Sequence, residues 1–259
     1  MLDSNRLPGK VTVVTGAGGE IGAATIRLML ARGARVVGVD RDGPALRRLA
    51  AELCAGHDFV DIEADVTVEA SVRDYVARTV ALFGRIDIFF NNAGIEGPIH
   101  PITEYPLADF LRVMDVNVIG VFLGMKYVIP VMSAGGGGAI INTSSTAGLS
   151  GSRGVCAYNA SKHAVIGLTR SAAAEWGNKA IRINCITPGP IASRMMRTLE
   201  EGLMPGQASA LRSTLSAQIP VGRYGYPEEV ATLVAFLASD DARYLHGAVF
   251  NVDGGYRVH

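Results

Sequence analysis

Two side chains near the middle of the chain have the types and the spacing needed for proton transfer. Tyr158 and Lys162 lie four residues apart in YNASKHAVIGLTRSAAAEW, a segment whose composition predicts a helix. Residues at i and i+4 share one helix face, so the phenol and the ammonium can approach the same point. A free tyrosine has a pKa near ~10, and a neighbouring cation stabilises the phenolate and lowers that pKa. Such a pair suits a tyrosine that acts as a general acid–base, but Tyr-x-x-x-Lys is common by chance, so the assignment depends on the other motifs of the chain.

A second group of such residues lies near the N-terminus, in VTVVTGAGGEIGAATIRLMLARGARVVGVD. This stretch predicts a strand, a glycine-rich turn, a helix and a second strand that ends at Asp40. Gly16 permits a sharp turn, Gly22 permits close helix–strand packing, and the helix N-terminus offers free N–H groups to a pyrophosphate. Asp40 is suited to accept hydrogen bonds from ribose hydroxyls and to repel a 2′-phosphate, which predicts NAD. Arg41 is placed to meet a 2′-phosphate and leaves NADP as the alternative.

The elements that position these residues alternate along the chain between short β-branched runs and longer amphipathic stretches. The predicted strands are Val11–Thr15, Arg35–Val39, Phe59–Glu63, Ile86–Asn91, Ala139–Asn142, Ile181–Ile186 and Val249–Val252. The predicted helices lie near Ile21–Arg32, Pro44–Cys54, Val68–Phe83, Leu107–Met132, Val155–Trp176 and Pro227–Ala238. Such alternation predicts an α/β fold, a doubly wound, seven-stranded parallel sheet with helices on both faces, in one domain over residues 1–259.

A stretch from about 188 to 226 interrupts this alternation. It holds no predicted strand, but it is rich in methionine and leucine around Pro205 and Gly206. A long insertion inside a compact domain is usually functional or disordered, and methionine is typical of an adaptable apolar surface. We therefore predict a substrate lid at 188–226, with a passive surface excursion as the alternative.

Composition excludes several classes of function. Lysine and arginine number 24, as do aspartate and glutamate, so the net charge is zero and no basic block suggests nucleic acid or an anionic membrane. The three cysteines and five histidines show no ligand spacing, so we expect no disulfide framework and no metal. The N-terminus, MLDSNRLPGK, does not resemble a signal peptide, and the apolar run Val116–Met132 is broken by Lys126 and Pro130. We expect a cytoplasmic protein with a small-molecule substrate.

The motifs, taken in order, resemble those of the short-chain dehydrogenase/reductase family over nearly the whole chain. They are TGAGGEIG at 15–22, ADV at 64–66, NNAG at 91–94, Asn117 in DVNVIGVF, SS at 144–145, YNASK at 158–162, PGP at 188–190 and NVDGG at 251–255. The resemblance implies a Rossmann-type fold, a nicotinamide dinucleotide cofactor, and hydride transfer at a secondary alcohol or ketone.

The resemblance also implies roles for four residues. Tyr158 is expected to be the acid–base, and Ser145 to hold the substrate oxygen; the family's spacing selects Ser145 over Ser144. Lys162 is expected to bind the nicotinamide ribose and lower the tyrosine pKa, while Asn117 anchors a water that leads protons to Lys162. In reduction, Ser145 and Tyr158 polarise the carbonyl, NADH delivers hydride and Tyr158 supplies the proton.

The expected cofactor contacts extend over five loops. Asp65 and Val66 are expected to flank the adenine, and Ile191 with Ser193 to meet the carboxamide after the turn at 188–189. The full set implied is Gly16, Gly19, Glu20, Ile21, Asp40, Arg41, Asp65, Val66, Asn92, Ala93, Gly94, Tyr158, Lys162, Pro188, Gly189, Ile191 and Ser193.

The glycine motif departs from the family at one position. The family pattern is TGxxxGxG, and Glu20 stands where the middle glycine is expected. A carboxylate there lies near the pyrophosphate and weakens binding unless it points away or meets a cation. We expect dinucleotide binding to survive this change.

The NNAGIEG and GVFLGMKY runs and the methionine-rich lid resemble NAD-linked members that act on cyclic or aromatic alcohols and ketones, such as levodione reductases and ring-diol dehydrogenases. A 3-oxoacyl carrier-protein reductase is the alternative, disfavoured by Asp40 and the zero net charge. A non-catalytic dinucleotide-binding regulator is disfavoured by the intact catalytic set. Glu96 and His100 follow a predicted strand and are either substrate contacts or plain loop residues. The C-terminus and the helices around 107–132 and 155–176 match surfaces by which the family forms homotetramers.

Overall fold

The structure, a computed structural model, describes residues 7–258. Its seven strands form one parallel sheet in the order β3-β2-β1-β4-β5-β6-β7. They are β1 Val11–Thr15, β2 Arg35–Asp40, β3 Phe59–Glu63, β4 Ile88–Asn91, β5 Gly138–Thr143, β6 Ile181–Pro188 and β7 Val249–Val252. The predicted fold class is confirmed, and each predicted strand is present within two residues of its expected bounds.

Nine α-helices accompany the sheet in residues 7–258. They are α1 Glu20–Ala31, α2 Gly43–Leu53, α3 Glu69–Phe83, α4 Leu107–Met114, α5 Gly120–Ala134, α6 Cys156–Trp176, α7 Arg194–Leu203, α8 Ala208–Gln218 and α9 Pro227–Ala238. Between α4 and α5 the helix continues as a π-helical turn, Asp115–Ile119. The single helix predicted over Leu107–Met132 is therefore three helical segments without a break.

Successive residues of a strand point to opposite faces of the sheet, and in these strands the residues on both faces are apolar. Val14 and Phe90 belong to a cluster with α1, α2 and α9 on one face. Their neighbours Val13 and Phe89 belong to a second cluster with α3, α5 and α6 on the other. Because the strands are parallel, their carboxyl ends lie along one edge of the sheet. The two buried layers hold the strands in place.

One helical run among residues 7–258, Leu107–Ala134, is long and apolar enough to cross a membrane by length and composition. It extends beyond the apolar stretch that the sequence suggested, because α4 and the π-helical turn continue it towards the N-terminus. Half of its most apolar window is buried inside the protein, and the core helix of a globular fold passes the same test. The run is therefore weak evidence for a membrane.

The stretch predicted as a lid folds into a pair of helices, α7 and α8, separated by Pro205 and Gly206. Its two ends meet in a short parallel bridge between Ile191 and Gly225, where the Ala192 N–H donates to the Gly225 carbonyl at 2.9 Å. The predicted absence of strands inside it agrees with the structure. The expectation about a signal peptide concerns in part residues 1–6, which lie outside the described residues.

Candidate active site

The predicted site residues come together at the carboxyl edge of the sheet. The strand order reverses direction between β1 and β4, and ligands of doubly wound sheets bind in the crevice at such a point. The glycine-rich turn follows β1, Asp40 ends β2, the 91–94 stretch ends β4, Ser145 follows β5, and Pro188 ends β6. Loops distant in sequence therefore line one crevice.

The turn between β1 and α1 requires glycine at two places. Gly16 has φ +67°, and a Cβ there would lie 3.0 Å from the Ala93 Cα. A Cβ on Gly22 would overlap the carbonyl oxygen of Gly16, so α1 packs directly on the turn. Gly19 precedes α1, and no side chain caps its N-terminus among the residues described. Free N–H groups beside a close backbone approach fit a pyrophosphate.

Asp40 closes over this turn from the end of β2. Its Oδ2 accepts from the Gly18 N–H at 2.9 Å, and its Oδ1 accepts from the Asp42 N–H at 3.0 Å. Arg41 beside it is exposed. The carboxylate therefore supports the glycine-rich turn and retains acceptor capacity for a ligand, since each oxygen has a second lone pair.

The residues expected to line the adenosine are held by hydrogen bonds within the protein. The Asp65 carboxylate accepts from the Thr67 N–H at 2.8 Å and the Thr67 hydroxyl at 2.7 Å, and Val66 packs against Gly120. The buried Thr15 hydroxyl accepts from the N–H groups of Asn92 and Ala93 at 2.9 and 3.1 Å. Sequence reasoning missed Thr15, whose position as the last residue of β1 was the available signal.

The Ser145 hydroxyl lies close enough to the Tyr158 phenol to lower its pKa. The Ser145 hydroxyl also accepts from the Ala147 N–H at 3.1 Å, which fixes it at the start of a short 3₁₀ turn. Ser144 is buried instead and donates to the Lys162 backbone carbonyl at 2.7 Å. Of the two neighbouring serines, the one that the spacing selected is the one that reaches the tyrosine.

Lys162 lies one helical turn after Tyr158 on α6, as the spacing predicts. Its Nζ is 5.5 Å from the centroid of the Tyr158 ring and donates to the Thr143 carbonyl at 2.9 Å. A Cβ on Gly94 would lie 3.3 Å from the same Nζ, so the loop after β4 closes on the ammonium. Thr143, which the sequence interpretation did not include, is therefore part of the site.

Asn117 lies in the π-helical turn and is buried. Its side chain accepts from the Ile95 N–H at 2.8 Å and donates to the Ile95 carbonyl at 2.9 Å and the Ser161 hydroxyl at 3.0 Å. These bonds join the loop after β4 to α6, the helix that carries Tyr158. A π-helical turn inside an α-helix is frequent at functional sites.

Electrostatics differ from the sequence expectation at the tyrosine. Burial raises the pKa of Tyr158 to about 12; the hydrogen bond from Ser145 lowers this pKa and the charge of Glu96 raises it. Burial likewise lowers the pKa of Lys162 to about 8. The expected lowering of the tyrosine pKa by Lys162 is not seen in the protein alone, where burial dominates the pKa of the phenol and the ammonium bonds the Thr143 carbonyl.

The carboxamide end of the predicted site lies where β6 ends. The Gly189 N–H donates to the Val252 carbonyl at 3.1 Å, and Ile191 is buried. The Ser193 hydroxyl caps α7 by accepting from the Met196 N–H at 3.3 Å. Glu20 reaches this helix from α1, accepting from the Arg194 N–H at 2.7 Å and pairing with Arg197 at 3.3 Å. The carboxylate in the glycine motif therefore meets a cation.

The sequence left two residues, Glu96 and His100, as either substrate contacts or plain loop residues, and the structure gives them different surroundings. Glu96 is 9 % exposed, and its charge acts on Tyr158. The His100 ring contacts the Tyr105 ring edge-on, with the centroids 6.1 Å apart. The backbone N–H of His100 donates to the Gly154 carbonyl. Within residues 7–258, no group of three or more His, Cys, Asp or Glu side chains is placed to hold a metal ion.

Comparison with known proteins places the chain among enzymes of one family. A family model described as enoyl-(acyl carrier protein) reductase matches residues 16–257. Levodione reductase of Leifsonia aquatica is 39 % identical over 255 residues, covering 97 % of this chain and 96 % of that protein. Cyclohexanol dehydrogenase of Acinetobacter sp. (strain SE19) is 39 % identical over 254 residues, covering 98 % and 97 %.

Solved structures give the same answer. The crystal structure of NAD+-bound xylitol dehydrogenase superposes with a TM-score of 0.90 at 35 % identity, covering 96 % of this chain and 99 % of that one. Sequence and fold agree over nearly the full length, which confirms the resemblance stated from the motifs. The chain belongs to the short-chain dehydrogenase/reductase family of oxidoreductases.

Proposed function

We propose that this enzyme transfers a hydride between NAD(H) and a secondary alcohol or ketone carried on a ring. The observation that carries the proposal is the placement of Ser145 beside Tyr158, with the buried Lys162 one helical turn away, at the carboxyl edge of the sheet. Relatives whose names state their substrates, levodione reductase and cyclohexanol dehydrogenase, support a cyclic substrate. They favour this function over the 3-oxoacyl carrier-protein reductase considered from the sequence.

The crevice fits a nicotinamide dinucleotide. The open N-terminus of α1 and the glycine-rich turn would hold the pyrophosphate, and Asp40 would accept from the adenosine ribose hydroxyls. Asp65, Asn92 and Gly94 would line the adenosine side, while Ile191 and the residues after it would meet the carboxamide. Asp40 favours NAD over NADP because its charge opposes a 2′-phosphate.

The protein side chains supply the proton chemistry. When bound, the nicotinamide ring donates the hydride in reduction and accepts it in oxidation. The hydroxyls of Ser145 and Tyr158 would both bond the substrate oxygen, which stabilises negative charge as it develops there. Tyr158, a phenol throughout the neutral range in the protein alone, would then give its proton to that oxygen. In oxidation the phenolate removes the proton from the alcohol.

Lys162 and Asn117 would serve the proton supply behind the tyrosine. With its pKa lowered to about 8, the Lys162 ammonium can lose and regain a proton close to neutral pH. Asn117 is bonded to both backbone groups of Ile95, so the loop beside Lys162 is held still. We assign Asn117 to the anchoring of the water that exchanges protons with Lys162.

The helices α7 and α8 would form the lid over the substrate. A Cβ on Gly202 of α7 would lie 2.5 Å from the Ile99 Cδ1, so α7 packs closely on the loop that carries Glu96. Met195, Met196 and Leu199 of α7 are half-buried, as expected of an apolar cover that adapts to its ligand.

We also propose a cytoplasmic homotetramer. Leu111, Ile119 and Phe122 on the continuous helical run are each more than two-fifths exposed, a surface suited to contact with another copy. All three cysteines are free thiols, which suits a reducing compartment.

The test is a direct assay of the purified protein. NADH or NADPH is mixed with cyclohexanone, with an open-chain ketone of equal carbon number, and with an acetoacetyl thioester. We expect the highest kcat/KM with NADH and the cyclic ketone. A preference for the thioester with NADPH would overturn the proposal in favour of carrier-protein reduction, and binding of NADH with no turnover of any alcohol or ketone would favour a regulator.

A further inference from the structure

Glu20 makes a contact that no glycine at its position could make. It is the first residue of α1, and its Oε1 accepts from the Arg194 N–H at 2.7 Å and lies 3.3 Å from the Arg197 Nη2. Arg194 and Arg197 belong to the first turn of α7. One carboxylate oxygen therefore joins the helix that follows the glycine-rich turn to the first helix of the lid.

This contact completes the N-terminus of α7. The first N–H groups of a helix have no acceptor within the helix, and a carboxylate nearby also interacts favourably with the helix dipole. Ser193 satisfies the Met196 N–H, and Glu20 satisfies the Arg194 N–H. A glycine at position 20 would leave the second group without this acceptor.

The two helices of the lid bury little surface, although its base is firmly attached. The helix α8 has no buried residue, and α7 buries only Glu200. At the base of the lid, Arg223 pairs with Glu229 at 2.8 Å, the Val221 N–H donates to the Gly254 carbonyl at 3.2 Å, and Ile219 is buried. The bridge of Ile191 with Gly225 also lies at this base, whereas α7 packs on the loop after β4 through Gly202 and Ile99. Because α7 has little apolar burial, a polar tie at its start has a large share in fixing the position of this helix.

We propose that Glu20 is a positioning residue that ties the lid helix α7 to the turn that binds the dinucleotide, and so sets the affinity for the substrate beneath the lid. This role rests on the proposed function for the identity of the substrate. Glu20 acts through α7 rather than by touching the substrate. Arg197 balances its charge, which reduces the repulsion of the pyrophosphate that a bare carboxylate would cause.

The first test measures the tie without any substrate. Hydrogen–deuterium exchange of the peptide holding residues 194–197 is compared in the unliganded wild type, Glu20→Gly, Glu20→Gln and Arg197→Gln. We expect about tenfold faster exchange in Glu20→Gly, because this factor matches the free energy of one charge-assisted hydrogen bond lost at an exposed site. Glu20→Gln and Arg197→Gln should show a smaller increase.

Glu52→Gln is the matched control, because Arg27 of α1 pairs with Glu52 at 2.8 Å in a similarly exposed ion pair remote from the lid. Exchange in this control should equal that of the wild type. Unchanged exchange in Glu20→Gly, or an equal increase in Glu52→Gln, would overturn the tie.

The second test separates positioning from nucleotide binding. In Glu20→Gly we expect the KM for the cyclic ketone to rise about three- to tenfold, more than kcat falls, while the Kd for NADH does not rise, because a negative charge leaves the phosphate site. A rise of the NADH Kd in parallel with KM would instead make Glu20 a nucleotide contact. If the wild type reduces no cyclic ketone, the proposed function fails, and the exchange experiment still decides whether Glu20 holds α7.

Discussion

The ammonium of Lys162 lies 5.5 Å from the centroid of the Tyr158 ring, and its hydrogen bond goes to the Thr143 carbonyl. Lys162 is buried and Tyr158 is partly buried, and desolvation raises the pKa of the phenol to about 12 and lowers that of the ammonium to about 8. The protein alone therefore holds Tyr158 ready as a proton donor. For Tyr158 to act as a base, its pKa would have to fall, and the positive charge of a bound, oxidised nicotinamide would favour the phenolate.

Tyr158→Phe tests the proton-transferring group. The substitution keeps the ring and its packing on α6 and removes only the hydroxyl, so the fold should survive. General acid–base catalysis typically contributes ~10²–10⁴-fold in rate, and this hydroxyl also polarises the carbonyl. We expect kcat to fall by at least ~10²-fold, with little change in NADH binding measured by fluorescence. Retention of a tenth of the wild-type kcat would remove Tyr158 from the mechanism.

Glu96→Gln tests the charge that faces the tyrosine. The negative charge of Glu96 disfavours the phenolate and raises the pKa of Tyr158, so its removal should lower that pKa. Oxidation needs the phenolate and rises with pH through this pKa, so the rise should move to lower pH in the variant. Glu104→Gln, an exposed carboxylate in the same loop, is the control and should leave the profile in place. An unmoved profile in Glu96→Gln would show that its charge does not reach Tyr158.

Most of the fold was predictable because its elements have local signals. The strand Val11–Thr15 is a β-branched run that ends at a glycine-rich turn, and Phe59–Glu63 and Val249–Val252 were also assigned with their observed bounds. The spacing of four residues places Tyr158 and Lys162 on one helix face. Such features depend on residues within one turn or one strand, which a sequence displays directly.

What escaped prediction depends on contacts between distant residues. The π-helical turn at Asn117 lies inside an apolar helical pattern that looks the same with either hydrogen-bond spacing. Glu20 meets Arg194, which is 174 residues away. The hydrogen bond from Lys162 to Thr143 and the desolvation that raises the tyrosine pKa also exist only once β5 packs beside α6. The motifs of the sequence predict which groups belong to the site, but not their protonation.

Light scattering tests the assembly. The purified protein should have the mass of a tetramer at micromolar concentration. The exposed apolar residues on the helical segment Leu107–Ala134 are suited to contact with another copy. Phe122→Glu places a charge in that surface and should favour smaller species. Leu82→Glu alters a comparably exposed side chain on α3 and should leave the assembly intact. A monomeric wild type would contradict the prediction.

Asp40 tests the choice of nucleotide, and two substitutions separate its two roles. In the structure its carboxylate accepts a hydrogen bond from the Gly18 N–H at 2.9 Å, and it also places a negative charge at the end of β2. Asp40→Asn keeps an oxygen for Gly18 and removes the charge, so it should chiefly relieve the repulsion of NADP. Asp40→Ala also removes the support of the glycine-rich turn and should raise KM for both dinucleotides.

Each lost interaction with the ribose or the 2′-phosphate is worth roughly 1–3 kcal/mol, so the ratio of kcat/KM for NAD over NADP should fall by about ten- to a hundredfold in both variants. The control is the adjacent Arg41→Ala, which removes a cation exposed beside the carboxylate. Since that cation is the one placed to meet a 2′-phosphate, its loss should move the ratio in the opposite direction, towards NAD. A wild type that already prefers NADP would show that Arg41, rather than Asp40, decides which dinucleotide the crevice accepts.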